Sequence, residues 1–335
     1  MGCKNYFFTA LTFTYKGVFN MNVFYTIILF IIGLILIVKG GDYFVDASGK
    51  IAEASGIPKF IVGATVVSFA TTLPELIVSV IAASQGKASL ASGNAIGSVT
   101  ANMGLILGLS IVCIPSVVKR KSIALKGFLM IFSCFLLTAF CYGGTLKLWH
   151  SIILLLMFFA FMAENVISAK SAIKSNVPAS KSFKPLKTAF YFIIGCSGII
   201  FGADMLVNNG SKLAQIIGIP ESIIGVTVIA IGTSLPELVT TITAIIKKEA
   251  SLSIGNIVGA NIIDLTVILP VCSIISGGSL NISAQNTALD LPVCFLLSLI
   301  AILPPVLFKK FKRIQGISML AVYIIYIYLL CSKFI

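Results

Sequence analysis

The sequence is short of charge. Asp, Glu, Lys and Arg make up 10% of its 335 residues, where a soluble domain carries about 25%, and the shortfall excludes a water-soluble globule. Histidine occurs once, as His150, read here as a loop residue, and no two cysteines form a Cys-x-x-Cys pair. A zinc-protease motif, a zinc ribbon and a dithiol redox centre are thereby excluded. There is no glycine-rich nucleotide loop and no nucleophile beside a plausible base, so the chain reads as neither an enzyme nor a cofactor protein. The eight cysteines are scattered, and six of them, Cys134, Cys196 and Cys294 included, sit in apolar stretches as small buried groups. Acidic residues number only 11 against 24 basic ones. In so apolar a chain the net charge of +13 is a signal of membrane orientation, not of a nucleic-acid surface. The start, Met1-Gly2-Cys3, lacks the features of a cleaved signal peptide, and Tyr6 stands where myristoylation wants Ser or Thr. Residues 1–22 are read as an N-terminal extension, with Met21 as an alternative start.

What the chain has is apolar length. Hydrophobic residues reach 58% and the mean hydropathy is +1.08. Runs such as 23–38, 151–168 and 291–308 approach or reach the ~18–20 residues that cross a hydrocarbon core as a helix. Backbone groups in lipid must be paired within the segment or within a closed barrel, and these runs are too long and too evenly apolar for barrel strands. Ten spans are expected, at about 23–40, 59–84, 91–117, 124–142, 149–169, 188–208, 221–246, 253–277, 288–307 and 314–332. With the N-terminus outside, 18 of the 24 Lys and Arg fall on inside connections and 6 outside. That bias supports both the count and the orientation, with both termini outside a cell membrane.

An internal repeat organises these spans. Adding 162 to a position returns the pattern: Gly56-Ile57-Pro58 becomes Gly218-Ile219-Pro220, Thr71–Leu76 becomes Thr233–Leu238, and Gly93, Asn94 and Gly97 become Gly255, Asn256 and Gly259. Asp42 becomes Asp204. Each half has five spans, an odd number, so equivalent spans run in opposite directions. The fold class expected is an all-α polytopic membrane protein, ten transmembrane helices as two inverted five-helix repeats (23–169 and 188–335) joined by a basic linker, 170–187. Inverted repeats of this kind hold their site near the midplane, between the halves.

Seven acidic residues, Asp42, Asp46, Glu53, Asp204, Glu221, Glu249 and Asp290, fall near span ends, but Glu75, Glu237 and Asp264 lie well inside apolar spans. A charge there costs roughly 2.5–3.5 kcal/mol on insertion scales. With no Lys, Arg or His expected at that depth, a bound cation is the natural partner; the bland alternative is protonated carboxyls joining helices. Thr71 precedes Glu75 by four residues, as Thr233 precedes Glu237, which places each pair on one helix face. Pro74 and Pro236 lack an N–H and free the carbonyls of Ala70 and Gly232, so a kink rich in oxygen is expected. Ser98 and Asn102, like Ala260 and Asp264, stand four apart on the next span. Oxygen donors suit hard cations such as calcium, and soft metals would want Cys or His. The Gly-Asn pairs read as close helix packing at the glycines and as a possible bridge to broken backbone at the asparagines.

At these residues the chain resembles the calcium/cation antiporter superfamily, and within it the prokaryotic sodium/calcium exchanger-like proteins. The resemblance rests on the duplicated Leu-Pro-Glu and Gly-Asn-x-x-Gly elements, in segments similar to the two alpha-repeats, 63–108 and 225–270, and extends over the ten-span layout. It implies two oblique gating helices against an eight-helix core and alternating access, with calcium and sodium competing for overlapping sites. Glu75 and Glu237 would be central ligands, with Asn102 and Asp264 completing the set. Thr71 and Thr233 would add carbonyls to the calcium site; Thr72, Ser98 and Ser234, with the carbonyls of Ser68 and Ala230, would serve flanking sodium sites. The chain departs from the family at Ala260, where Ser is frequent and one sodium-coordinating hydroxyl is missing, at Thr72 and Ala70 for Ser and Gly, and at Ser68 for Ala. Proton/calcium exchangers of the same superfamily carry a Glu soon after the Gly-Asn element; this chain does not, which favours sodium over protons. Potassium co-transport stays open. A passive channel is the other class weighed, and inverted repeats around one buried site suit alternating access better.

Overall fold

The computed structural model describes the backbone of residues 3–115, 120–175, 184–216 and 234–334. The apolar runs form helices, because a helix pairs its own backbone groups and needs nothing from lipid. Thirteen elements follow in order: α1 Cys3–Ser55, α2 Lys59–Thr71, α3 Leu73–Ser84, α4 Ala88–Cys113, α5 Arg120–Cys141, β1 Thr145–Lys147, α6 Leu148–Ser175, α7 Pro185–Ile216, α8 Leu235–Ile246, α9 Ala250–Ile275, β2 Ser279–Asn281, α10 Asn286–Phe308 and α11 Arg313–Phe334. Among the described residues eight helices are long and apolar enough to cross a membrane, and α2 with α3 forms a further span bent by 45°. The short α8 is the 162-residue counterpart of α3; the rest of its expected span, 221–246, lies outside the described residues. The chain is thus an all-helical polytopic membrane protein, and among the described residues two three-residue strands are the only others.

Several helices overrun the expected spans. The first span was expected to end at residue 40, yet α1 continues to Ser55, and α7 starts at Pro185 and ends at Ile216. Hydropathy marks where hydrocarbon ends, not where a helix must stop. α1 stops at Gly56, whose φ of +66° breaks the helix without the steric penalty a side chain would meet, and Pro58 follows.

α4 and α9 are the inner helices. Their most apolar windows are 72% and 83% buried within the protein, against 22–39% for the other six unbroken spans. α9 lies against α2 so closely that a Cβ on Gly255 would sit 2.1 Å from the Phe60 carbonyl oxygen, and one on Gly259 2.6 Å from that of Ala64. The Gly-x-x-x-Gly spacing is therefore the condition for this contact.

α1 and α7 form a pair along their length, and their contact carries the repeat's symmetry. A Cβ on Gly40 would meet the Gly195 oxygen at 2.8 Å, and one on Gly202 the Gly33 oxygen at 2.7 Å. Adding 162 turns Gly40 into Gly202 and Gly33 into Gly195, so each contact is the other with the halves exchanged. This is the signature of a two-fold relation between the repeats.

The connections gather at two ends. At one, β1 and β2 pair antiparallel, Leu146 opposite Leu280, joining the α5–α6 and α9–α10 connections. At the other, Lys59 bonds Glu249 at 2.5 Å and Lys247 pairs with Asp46 at 2.8 Å.

One expectation needs correction. His150 is not in a loop: it is buried in the first turn of α6, where its Nδ1 accepts the Lys147 N–H at 3.1 Å and its ring stacks on Phe140. The β1–α6 junction needs that acceptor. Asp290 lies near a span end as expected, in the π-helical turn that opens α10. It is buried, and its carboxylate accepts from Asn286 at 2.7 Å and Gln285 at 3.2 Å.

Candidate functional site

The repeated Thr-x-Leu-Pro-Glu segment breaks its span where proline requires it. Thr72, at the break, has φ −84° and ψ −1°, and its counterpart Ser234 has φ −84° and ψ 5°. Both lie in the sparsely used bridge region, and both are followed by a new helix with proline at its second position, where the missing N–H goes unused. Glu75 and Glu237 therefore stand in the first turns of α3 and α8, where the positive end of the helix dipole favours a carboxylate. Thr71 and Glu75 do not share one continuous helix as the spacing suggests, because the 45° bend falls between them. The freed Ala70 carbonyl takes a long contact from Cys196 Sγ at 3.8 Å, so that cysteine is more than filling.

Asn102 and Asp264 both open π-helical turns, Asn102–Leu107 in α4 and Asp264–Ile268 in α9. An extra residue in a helical turn re-aims the side chains and leaves carbonyls without their usual partner, and such turns cluster at functional sites. The turn opened by Asn102 touches α8, which carries Glu237, and that opened by Asp264 touches α3, which carries Glu75. This reciprocal packing brings the two-fold to the centre of the protein. Glu75, Glu237 and Asp264 are each no more than 1% exposed.

The asparagines of the Gly-Asn pairs hold the broken helices in place. Asn94 Nδ2 donates to Ser79 Oγ at 2.9 Å and to the Glu75 carbonyl at 3.3 Å. Asn256 Nδ2 donates to Thr240 Oγ1 at 3.1 Å, and its Oδ1 accepts from Thr71 Oγ1 at 3.2 Å. Each amide ties an inner helix to the helix bearing the carboxylate, and Asn256 also crosses to the other repeat.

The remaining candidates are buried as well: Thr71, Thr72, Ser68, Ser98, Asn102 and Ser234. The Ser68 carbonyl accepts from the Thr72 N–H at 2.9 Å and also from the Thr72 hydroxyl, so both sodium-ligand candidates of this turn share one bond. Thr233 and Ala230 lie outside the described residues. Among the described residues no three His, Cys, Asp or Glu side chains group as a metal cage. Ion binding here has to draw on amide, hydroxyl and carbonyl oxygens as much as on carboxylates, a donor set for hard cations. The carboxylate oxygens of Asp264 and the Asn102 Oδ1 have no hydrogen-bond partner among the described residues. Buried oxygens in that condition fit a cation.

Three residues here carry no mark in the sequence pattern. Asn261, next to Ala260, is fully buried with neither amide atom bonded among the described residues; its repeat counterpart is Val99, so the repeat did not flag it. Lys126 is a buried cation that was not expected. It pairs with Glu164 at 3.2 Å and lies over the Phe60 ring at 5.3 Å, so its charge is engaged by Glu164, an acidic residue to which the sequence assigned no role.

The sequence model of the sodium/calcium exchanger protein family matches residues 25–166 and 187–332, one match for each repeat. An uncharacterized membrane protein of Methanocaldococcus jannaschii is 32% identical, covering 88% of this chain and 95% of that protein. The sodium/calcium exchanger MaX1 of Methanosarcina acetivorans is 27% identical over 90% of this chain and 97% of its own length. Among solved structures, the sodium-calcium exchanger NCX_Mj soaked with sodium and strontium superposes with a TM-score of 0.78 at 31% identity, covering 91% of this chain and 99% of that one.

Proposed function

Because this chain belongs to the sodium/calcium exchanger family, we infer that it is a secondary antiporter, exchanging calcium for sodium across the membrane by alternating access. The observation that carries the reading is the buried meeting of Glu75, Glu237, Asp264 and Asn102, contributed by α3, α8, α9 and α4 from both repeats.

In this reading Glu75 and Glu237 are the ligands that calcium and sodium share, and Asn102 and Asp264 complete the central set. Thr71 and Thr233 supply carbonyls to calcium. Thr72, Ser98, Ser234 and the carbonyls of Ser68 and Ala230 serve sodium. The functional halves are 23–169 and 188–335, with alpha motifs at 63–108 and 225–270 and a linker at 170–187. Exchange follows from electrostatics. Buried carboxylates without a counter-charge cost several kcal/mol, so the loaded protein passes between its outward and inward states and the empty one does not. α1 and α7 are the elements that move, since they pair with one another and lie outside the four central helices. Both termini face outward from a cell membrane, on the strength of the Lys and Arg distribution. Sodium is the counter-ion because neither Gly-Asn element is followed by a Glu.

Purified protein in proteoliposomes tests this through radioactive calcium uptake under an outward sodium gradient, an outward proton gradient, or neither. Saturable uptake driven by sodium alone is expected. Uptake driven by protons alone would transfer the chain to the proton-coupled class, and uptake without any counter-gradient would make it a channel. Adding potassium to the sodium arm shows whether it is carried too.

A further inference from the structure

Where α1 and α7 lie side by side near the 184–187 end, they line an open cleft of about 570 Å³ that contains none of the central carboxylates. Its own acidic residues are engaged by lysines that do not line it: Asp46 by Lys247 at 2.8 Å and Glu53 by Lys59 at 3.2 Å. Its three lysines are Lys50 on α1, and Lys184 and Lys187 at the start of α7. None of the three forms an ion pair with a described residue, and the adjoining segment 176–183 contains no Asp or Glu. Lys187 lies over the Tyr191 ring at 5.8 Å, which leaves its ammonium free to bond.

Lys184 and Lys187 flank the N-terminus of a 32-residue helix. The unpaired N–H groups and dipole at such an end already carry positive charge, so two lysines there are unfavourable unless an anion joins them. Three unmatched ammonium groups and a helix N-terminus around one cleft are the chemistry of a phosphate site. Phe190, Ile193 and Ile194, beside the lining residues of α7, are exposed and apolar. The cleft thus adjoins surface suited to acyl chains, and basic pockets between spanning helices hold lipid headgroups.

We propose that this cleft binds a phosphate anion, as a lipid headgroup or free in solution, and that the anion is held by α1 and α7 together. The consequence for transport rests on the antiport reading, since these are the helices assigned to move; the binding does not. Native mass spectrometry of the protein from nanodiscs containing phosphatidylglycerol reads the lipid form, and titration of lipid-depleted protein with inorganic phosphate reads the free form. Lys50→Gln, Lys184→Gln and Lys187→Gln are expected to weaken binding about fivefold each, and the triple Arg variant to retain it, while sodium-driven calcium uptake reports separately on the antiport reading. Preference for phosphatidylglycerol identifies a headgroup, and displacement by phosphate identifies the free anion. Binding of neither probe, or equal binding by the triple Gln variant, overturns the site. A loss confined to Lys184 and Lys187 overturns the bridge between helices.

Discussion

At the scale of single residues, the proposed site gives the central carboxylates the charge that a carried cation would meet. Glu75→Gln and Glu237→Gln each remove one unit of it from a site enclosed by protein. Calcium flux in proteoliposomes is expected to fall about 100-fold or more, the equivalent of the ~3 kcal/mol lost when a buried charge loses its partner. The variants should still insert and run as folded protein on size exclusion. Ala260 is fully buried one turn before Asp264. Ala260→Ser places a hydroxyl there and is expected to lower the sodium concentration for half-maximal exchange a few-fold; an unchanged value would mean that the sodium site is built without that position. Lys248 tests the repeat from another side. It follows α8 with φ 61°, where its counterpart after α3, Gly86, has φ 73°. A side chain in that region costs roughly 1 kcal/mol, so Lys248→Gly is expected to raise thermal stability by up to that amount.

At the scale of elements, two devices shape the site. One is the helix break before Pro74 and Pro236, which the sequence announces. The other is the pair of π-helical turns opened by Asn102 and Asp264, which it does not, since one extra residue in a turn leaves no mark in composition or periodicity. Close backbone approach holds these elements in register. Gly259→Val would force a side chain against the Ser68 hydroxyl, 2.5 Å from where its Cβ must lie, and into the Ala64 backbone carbonyl at 2.6 Å, which cannot rotate away. The expected result is a loss of at least the ~1–3 kcal/mol typical of overpacking, read as a lower melting temperature in detergent, with exchange reduced in parallel.

At the scale of the whole molecule, the two-fold relation explains why one site is reached from both sides. Contacts such as Gly40 with Gly195 and Gly202 with Gly33 make the halves interchangeable, so a structure open one way has a counterpart open the other. The polar connections sort into two ends, β1 with β2 at one and the Lys59, Glu249 and Lys247 ion pairs at the other. A single cysteine at Ser279 in a cysteine-free background is expected to react with an impermeant maleimide in intact cells, and one at Lys248 only after permeabilisation. The reverse pattern would invert the orientation drawn from the lysines.

Apolar length, the 162-residue repeat and three carboxylates in hydrocarbon were legible in the sequence by itself, because each follows from the chemistry of residues at fixed spacing. Those features determined a helical membrane protein of two inverted halves and directed attention to Glu75, Glu237 and Asp264. Which helices are enclosed was decided only by tertiary structure, since α4 and α9 are no more apolar to read than the spans that face lipid. The same holds for the buried pairing of Lys126 with Glu164, the burial of Asp290 in α10, and the burial of Asn261. Each depends on what a neighbouring helix brings to the contact, and packing partners far apart in the chain are absent from local pattern.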